Sequence, residues 1–267
     1  MKNILCFLVL MAIVGCAEQE LYKNTVDIVK NENHIDQYAY LMEQARWGNG
    51  QAYLKLADYY RTGQGGKKDF LGTISMFAMA DQYSEVNKME DYLKALPEKD
   101  NMKLFFDAMD SFDKKNMEEF AEITDRLIAE GLPEGYSLKG VMAVEMGETI
   151  EGKRLIEMAV EQGSTFAELL LAIISGKSNG KRPSIEVLAP LADRIPLACK
   201  LLGDAYAGIE NDSVKNEELA AVYYQKADEQ ACLGKRAARW LVNYYERNGI
   251  QVDKREMERL KKLSGEK

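Results

Sequence analysis

Few side chains in this 267-residue chain have the type and spacing that chemistry requires. Cys16 follows an uncharged apolar run and closes the group Ile13-Val14-Gly15-Cys16. Gly63-Gln64-Gly65-Gly66-Lys67 joins glycines to a lysine, a combination that can cradle an anion. A dinucleotide fingerprint, however, follows a strand and opens a helix, and this run follows a helical pattern, so a turn between helices is the plainer reading. His34 is the only histidine, with no cysteine or carboxylate at ligand spacing, and cannot build a zinc site alone. Asp107, Asp110 and Asp113 recur at helical spacing before Glu118, Glu119 and Glu122. Calcium loops need irregular backbone and glycoside hydrolysis needs opposed carboxylates in a cleft, so a solvated helix face is expected. The pairs Tyr59-Tyr60, Tyr223-Tyr224 and Tyr244-Tyr245 could stack on a ligand. One tyrosine of each pair sits at a packing position, which leaves its exposed neighbour for binding. No catalytic residue, metal ligand set or cofactor is expected.

Met1-Lys2-Asn3 is a minimal positive start, and Ile4 to Val14 form an apolar core of signal-peptide length. A spanning helix would need about 20 apolar residues. Read together with Gly15-Cys16, the segment resembles the lipobox of bacterial lipoproteins. The resemblance implies cleavage after Gly15 and acylation of Cys16 on its thiol and new amino group. Gly15-Cys16-Ala17 also fits a small-x-small site for ordinary secretory cleavage. Each buried acyl methylene contributes about 0.8 kcal/mol, and two chains hold a protein stably on a membrane. Residues 1–15 are thus read as signal peptide and 16–34 as tether. Ala17 is not the aspartate associated with inner-membrane retention, so the implied place is the bacterial envelope, on the outer membrane facing the periplasm rather than on the inner membrane.

The net charge of −8 becomes −9 once Lys2 leaves, because residues 1–15 hold no acid. Such acidity argues against a nucleic-acid partner, which would need a basic face. Abundant alanine, leucine, glutamate and lysine with only five prolines favour helices.

From Ala45 the chain reads Ala45-x-x-Gly48-x-x-x-Ala52-x-x-x-Leu56-Ala57-x-x-Tyr60-x-x-Gly63-x-Gly65-x-x-x-Asp69, then Phe77-x-x-Ala80. Apolar residues at helical spacing stop at glycines and resume, which predicts helix, turn and helix. The pattern returns at Ala198-x-x-x-Leu202-Gly203-x-x-Tyr206-x-Gly208 with Ala220-Ala221-x-Tyr223-Tyr224-x-Lys226-Ala227, and at Ala237-x-x-x-Leu241-x-x-x-Tyr245. Small residues at 52, 135, 167, 198 and 237 mark copies, the later ones spaced by 32, 31 and 39 residues. Such a period marks stacked helical hairpins. Residues 100–112 and 115–130 predict a further hairpin, and the charged segment 253–263 suits a terminal cap. Tyr60, Tyr206 and Tyr245 are expected in the core.

These segments resemble Sel1-like repeats, a subfamily of the tetratricopeptide-type solenoids, most closely over Ala45–Ala80, where Gly66 replaces the usual valine of the turn. The resemblance implies an all-α fold, a right-handed α/α solenoid over residues 35–267. Cys6 leaves with the signal peptide, so Cys199 and Cys232 remain as a pair. They lie at the start of one helix and the end of its partner, ends that antiparallel packing sets side by side. Cysteine-rich Sel1-like proteins carry a disulfide in a similar place; Cys232 falls about one turn later than that pattern, and two buried thiols are the alternative. Bringing either cysteine to His34 would require the two ends of the solenoid to meet.

The expected function is that of a lipid-anchored extracytoplasmic scaffold or adaptor, with a protein partner on the concave surface and a membrane held through acylated Cys16. Among Sel1-like lipoproteins, the resemblance implies two narrower roles, a scaffold of exopolysaccharide secretion or an immunity protein neutralising a secreted toxic phospholipase. A cell-wall or β-lactam-binding enzyme is the alternative of a different class.

Overall fold

A computed structural model describes residues 34–64, 68–83, 88–176, 185–209 and 214–265. Fourteen α-helices and no strand occur among them. In chain order they are α1 (His34–Arg46), α2 (Gly50–Thr62), α3 (Phe70–Tyr83), α4 (Lys88–Ala95), α5 (Asn101–Asp113), α6 (Met117–Ala129), α7 (Glu134–Glu145), α8 (Thr149–Glu161), α9 (Thr165–Gly176), α10 (Ile185–Leu188), α11 (Pro196–Tyr206), α12 (Glu217–Glu229), α13 (Lys235–Arg247) and α14 (Lys254–Ser264). The fold is all-α, and neighbours in sequence pack as hairpins: α2 with α3, α5 with α6, α7 with α8, α11 with α12, and α13 with α14. No helix is long and apolar enough to cross a membrane among the described residues.

The described residues divide into two compact units, one within 90–187 and the other within 34–89 and 188–265. In the first, Gly140 of α7 and Gly152 of α8 face each other at the helix crossing. A Cβ on Gly140 would lie 2.7 Å from the Gly152 carbonyl oxygen, and one on Gly152 would lie 2.6 Å from the Gly140 oxygen. Two glycines therefore set how closely these backbones approach. Phe105, Phe120, Leu127, Ile156 and Phe166 fill the interior.

In the second unit, Asn49 caps α2 by accepting the Gln51 and Ala52 amides at 3.0 and 3.3 Å. Gly63 ends the helix in the left-handed conformation at φ 75°, which glycine adopts without steric cost. Asn216 and Asp253 cap α12 and α14 in the same manner as Asn49. The small residues read as repeat anchors, Ala52, Gly135, Ala167, Ala198 and Ala237, are all buried.

The first described helix, α1, meets α12 and α14 in this unit, contrary to the expectation that the ends of the solenoid stand apart. Asp228 at the end of α12 accepts from both terminal nitrogens of Arg259 on α14, at 2.9 and 2.6 Å, and from Arg46 on α1 at 2.8 Å. Arg259 also donates to the Arg46 carbonyl at 2.7 Å and to Glu256 at 2.6 Å. Arg259 is 2% exposed. Beside this network Trp47 lies under the cations of Arg255 and Lys262, at 5.8 and 5.6 Å from its ring centre. The terminal cap read from its charges thus turns an arginine inward and seals α1 against α12 and α14.

Candidate functional site

Cys16 and Gly15, and with them the signal peptide and tether, lie outside the described residues, as do Gly65, Gly66 and Lys67. His34 opens α1 at the position read as the last residue of the tether. The aspartates of α5 lie on an exposed face beside cations: Lys114 pairs with Asp110, and Lys103 lies 4.0 Å from Asp107. Among the described residues no group of three or more His, Cys, Asp or Glu is placed to hold a metal ion.

Cys199 and Cys232 are free thiols, both buried, where a disulfide was one of two expectations. The Cys199 thiol donates instead to the Ala192 carbonyl at 2.9 Å, a partner from the segment before α11. Burial raises both thiols, and Cys232 is pushed up to about 12. Both are therefore protonated near neutrality and make poor nucleophiles.

The tyrosine pairs divide differently from the repeat pattern. Tyr245 is buried as expected, whereas Tyr60 and Tyr206 are only half-buried. At the first pair the roles are exchanged: Tyr59 is 6% exposed and donates to Gln37, and the Tyr60 hydroxyl bonds to that of Tyr38. The cause is α1, an additional helix that covers this side of α2. Tyr223 and Tyr244 do remain half-exposed.

Around those two the structure gathers a surface that the sequence pattern did not single out. Tyr206 and Tyr223 stack with their rings 5.7 Å apart and 6° from parallel. On α13, Trp240 stacks on Tyr244 at 5.1 Å and 10°, one helical turn apart. Trp240 also meets the edge of buried Tyr224 at 5.3 Å. Gly203 makes room for Tyr224, since a Cβ there would come within 2.4 Å of its ring. The Tyr224 hydroxyl donates to Asp204 at 2.8 Å, so the ring beneath Trp240 has one fixed position.

Arg236, Arg239, Asn243 and Arg247 follow at steps of three and four along α13, one exposed face beside the Trp240–Tyr244 stack. Each guanidinium is held by a neighbour. Arg236 donates to Asp204 at 3.0 Å, Arg239 to the Ser264 carbonyl at 3.1 Å, and Arg247 pairs with Glu217. Burial by itself would raise the Asp204 carboxyl. Lys200, Arg236 and the Tyr224 hydroxyl outweigh it and hold the group below the ordinary carboxylate range. Arg236 and Arg247 remain 50% and 59% exposed, and arginine carries five donors. Their span, eleven steps along the helix, is about 16 Å.

The sequence signal for this face was charge rather than periodicity. Residues 233–267 carry ten bases and five acids, a net of +5 in a chain of −8. Arranged as stacked aromatics beside pre-positioned arginines, the face can take up an apolar or planar group together with carboxylates. Compared with models of protein families, with curated proteins and with solved structures, the chain matches none.

Proposed function

We propose that the protein is a lipid-anchored scaffold of the bacterial envelope, of the Sel1-like repeat kind, that recruits a protein partner through the exposed face of α13. The observation that carries this reading is the Trp240–Tyr244 stack beside Arg236, Arg239 and Arg247. Tryptophan, tyrosine and arginine are the residues that concentrate binding energy at protein interfaces. Here they sit on a rigid helix whose buried side is locked through Asp204 and Tyr224, so little ordering is needed on binding. In this reading Cys16 supplies the address, its acyl chains holding the scaffold at a membrane, and α13 supplies the contact.

A photo-crosslinking residue at position 243 in the anchored protein tests the contact. The expected result is a single defined protein adduct from native membranes, with a yield that falls at least tenfold in a Trp240→Ala, Arg247→Ala background, the equivalent of about 1.4 kcal/mol. An adduct whose yield is insensitive to those substitutions overturns the assignment of the face. For the anchor, Cys16→Ala should abolish acyl labelling and release the protein from membranes; unchanged labelling overturns it.

A further inference from the structure

The face on α13 has a complement elsewhere on the same chain, at the turn between α7 and α8. Ile150 is 89% exposed and Met146 is 64% exposed there, the two most exposed large apolar side chains among the described residues. Aliphatic side chains this bare on a soluble surface are unusual when they stand together. Glu145, Glu148 and Glu151 flank them in the sequence; Glu145 and Glu148 are exposed, and Glu151 is paired with Arg154 at 2.6 Å. The tip therefore carries bare apolar side chains with the exposed Glu145 and Glu148 beside them, while the face on α13 is aromatic at its centre and basic at its rim. Charge follows the same division on a larger scale. The segment with α13 and α14 is +5 in a chain whose total is −8, so all other residues together carry −13.

We infer that the α7–α8 tip of one copy docks on the α13 face of a second copy. The inference rests on the reading of α13 as a binding face and names an occupant for it. Met146 and Ile150 would lie against the Trp240–Tyr244 stack, where a thioether gains from contact with an aromatic ring edge. Glu145 and Glu148 would meet Arg236, Arg239 and Arg247, whose forked guanidinium groups suit carboxylates. Because the two surfaces differ, each copy keeps one tip and one face unoccupied in a pair. Association is thus heterologous and continues into rings or chains instead of stopping at a symmetric dimer.

The test uses two variants of the full chain in non-ionic detergent, followed by sedimentation velocity. The first carries Met146→Glu and Ile150→Glu, which removes the tip at positions where exposure leaves folding untouched. The second carries Asn243→Glu and Arg247→Glu, which reverses the face. Circular dichroism verifies that both keep the helical content of the wild type. The wild type should associate with increasing protein concentration and dissociate as salt shortens the screening length. Each variant alone should show at least a tenfold weaker association. An equimolar mixture should recover a dimer, because the face of the first variant and the tip of the second are both intact. A wild type that stays monomeric, variants that associate as the wild type does, or a mixture that recovers nothing would each overturn the inference. If self-association fails while the position-243 adduct with another protein still depends on Trp240 and Arg247, the binding face stands and only its occupant is wrong.

Discussion

Removing the carboxylate of Asp228 should loosen the whole unit that contains the chain ends. The residue is 4% exposed and its carboxylate accepts three bonds, from Arg259 at 2.9 and 2.6 Å and from Arg46 at 2.8 Å. Breaking a buried ion pair by deleting one partner costs about 3–5 kcal/mol, because the remaining charge stays buried without compensation. Here Arg259 keeps Glu256 and the Arg46 carbonyl, and Arg46 is 27% exposed and can rehydrate, so the lower end applies. Asp228→Ala should therefore cost about 3 kcal/mol. For a unit of this size that lowers the melting temperature by roughly 10 °C. The assay is intrinsic fluorescence during thermal and urea unfolding. Trp47 and Trp240 are the two tryptophans, and both lie in this unit, so the signal reports it alone. Replacing the pair by apolar residues, Asp228→Leu with Arg259→Met, should cost less than Asp228→Ala, since the buried arginine leaves with its carboxylate and only the part-exposed Arg46 and Glu256 must rehydrate. A loss below about 1 kcal/mol for Asp228→Ala, or a double variant less stable than the single one, would show that the network does not hold the hairpins together.

Three further outcomes follow from the packing and the charges. Gly140→Ala places a methyl 2.7 Å from the Gly152 oxygen and 2.6 Å from Ile156, and should cost about 1–3 kcal/mol in urea unfolding, the usual range for overpacking; an unchanged midpoint would refute the close crossing. Native protein treated with iodoacetamide at neutral pH should leave Cys199 and Cys232 unmodified, as mass spectrometry of the digest would show, and both should react once denatured. Asp204 and Glu256 both lie below their ordinary pKa values, Glu256 mainly through its bond to Arg259. A depressed carboxylate contributes stability that is complete above its unfolded pKa and lost as pH falls through the folded one. Stability of the unit should accordingly be flat above about pH 5 and decline below about pH 4; a midpoint independent of pH down to 3 would contradict it.

The hairpins were legible because small residues at helix crossings recur with a period, and the positions so marked are buried. Residues 100–112 and 115–130, read as a hairpin without a recognisable repeat, form α5 and α6 nearly to the residue, fixed by the caps Asp100 and Asn116. What local pattern could not carry was any contact between residues 182 to 213 positions apart, such as Arg46 with Asp228 or Arg259 with Arg46. Periodicity describes which face of a helix is apolar, and says nothing of which distant helix covers it. The same blindness misassigned Tyr59, buried by α1, and passed over Trp240, whose partner Tyr224 sits on a different helix. The charge count of the last 35 residues was open to inspection throughout, but a basic run reads as a solvated cap until its arginines are seen in a row beside stacked rings.

The ion pairs that join α1 to α12 and α14 also set a clock on synthesis. A chain made from its N-terminus completes α1–α3 early, yet the surface those helices need is not finished until Arg259 has been added. Loop closure over most of the chain must come before those contacts can stabilise anything, which makes them late and slow to form. A product truncated between α12 and α14 leaves Arg46, Trp47 and Asp228 without the segment that covers them. The eleven-residue α14 thus acts as a seal of completeness: a copy that lacks it is left open to local unfolding at α1, far away in sequence.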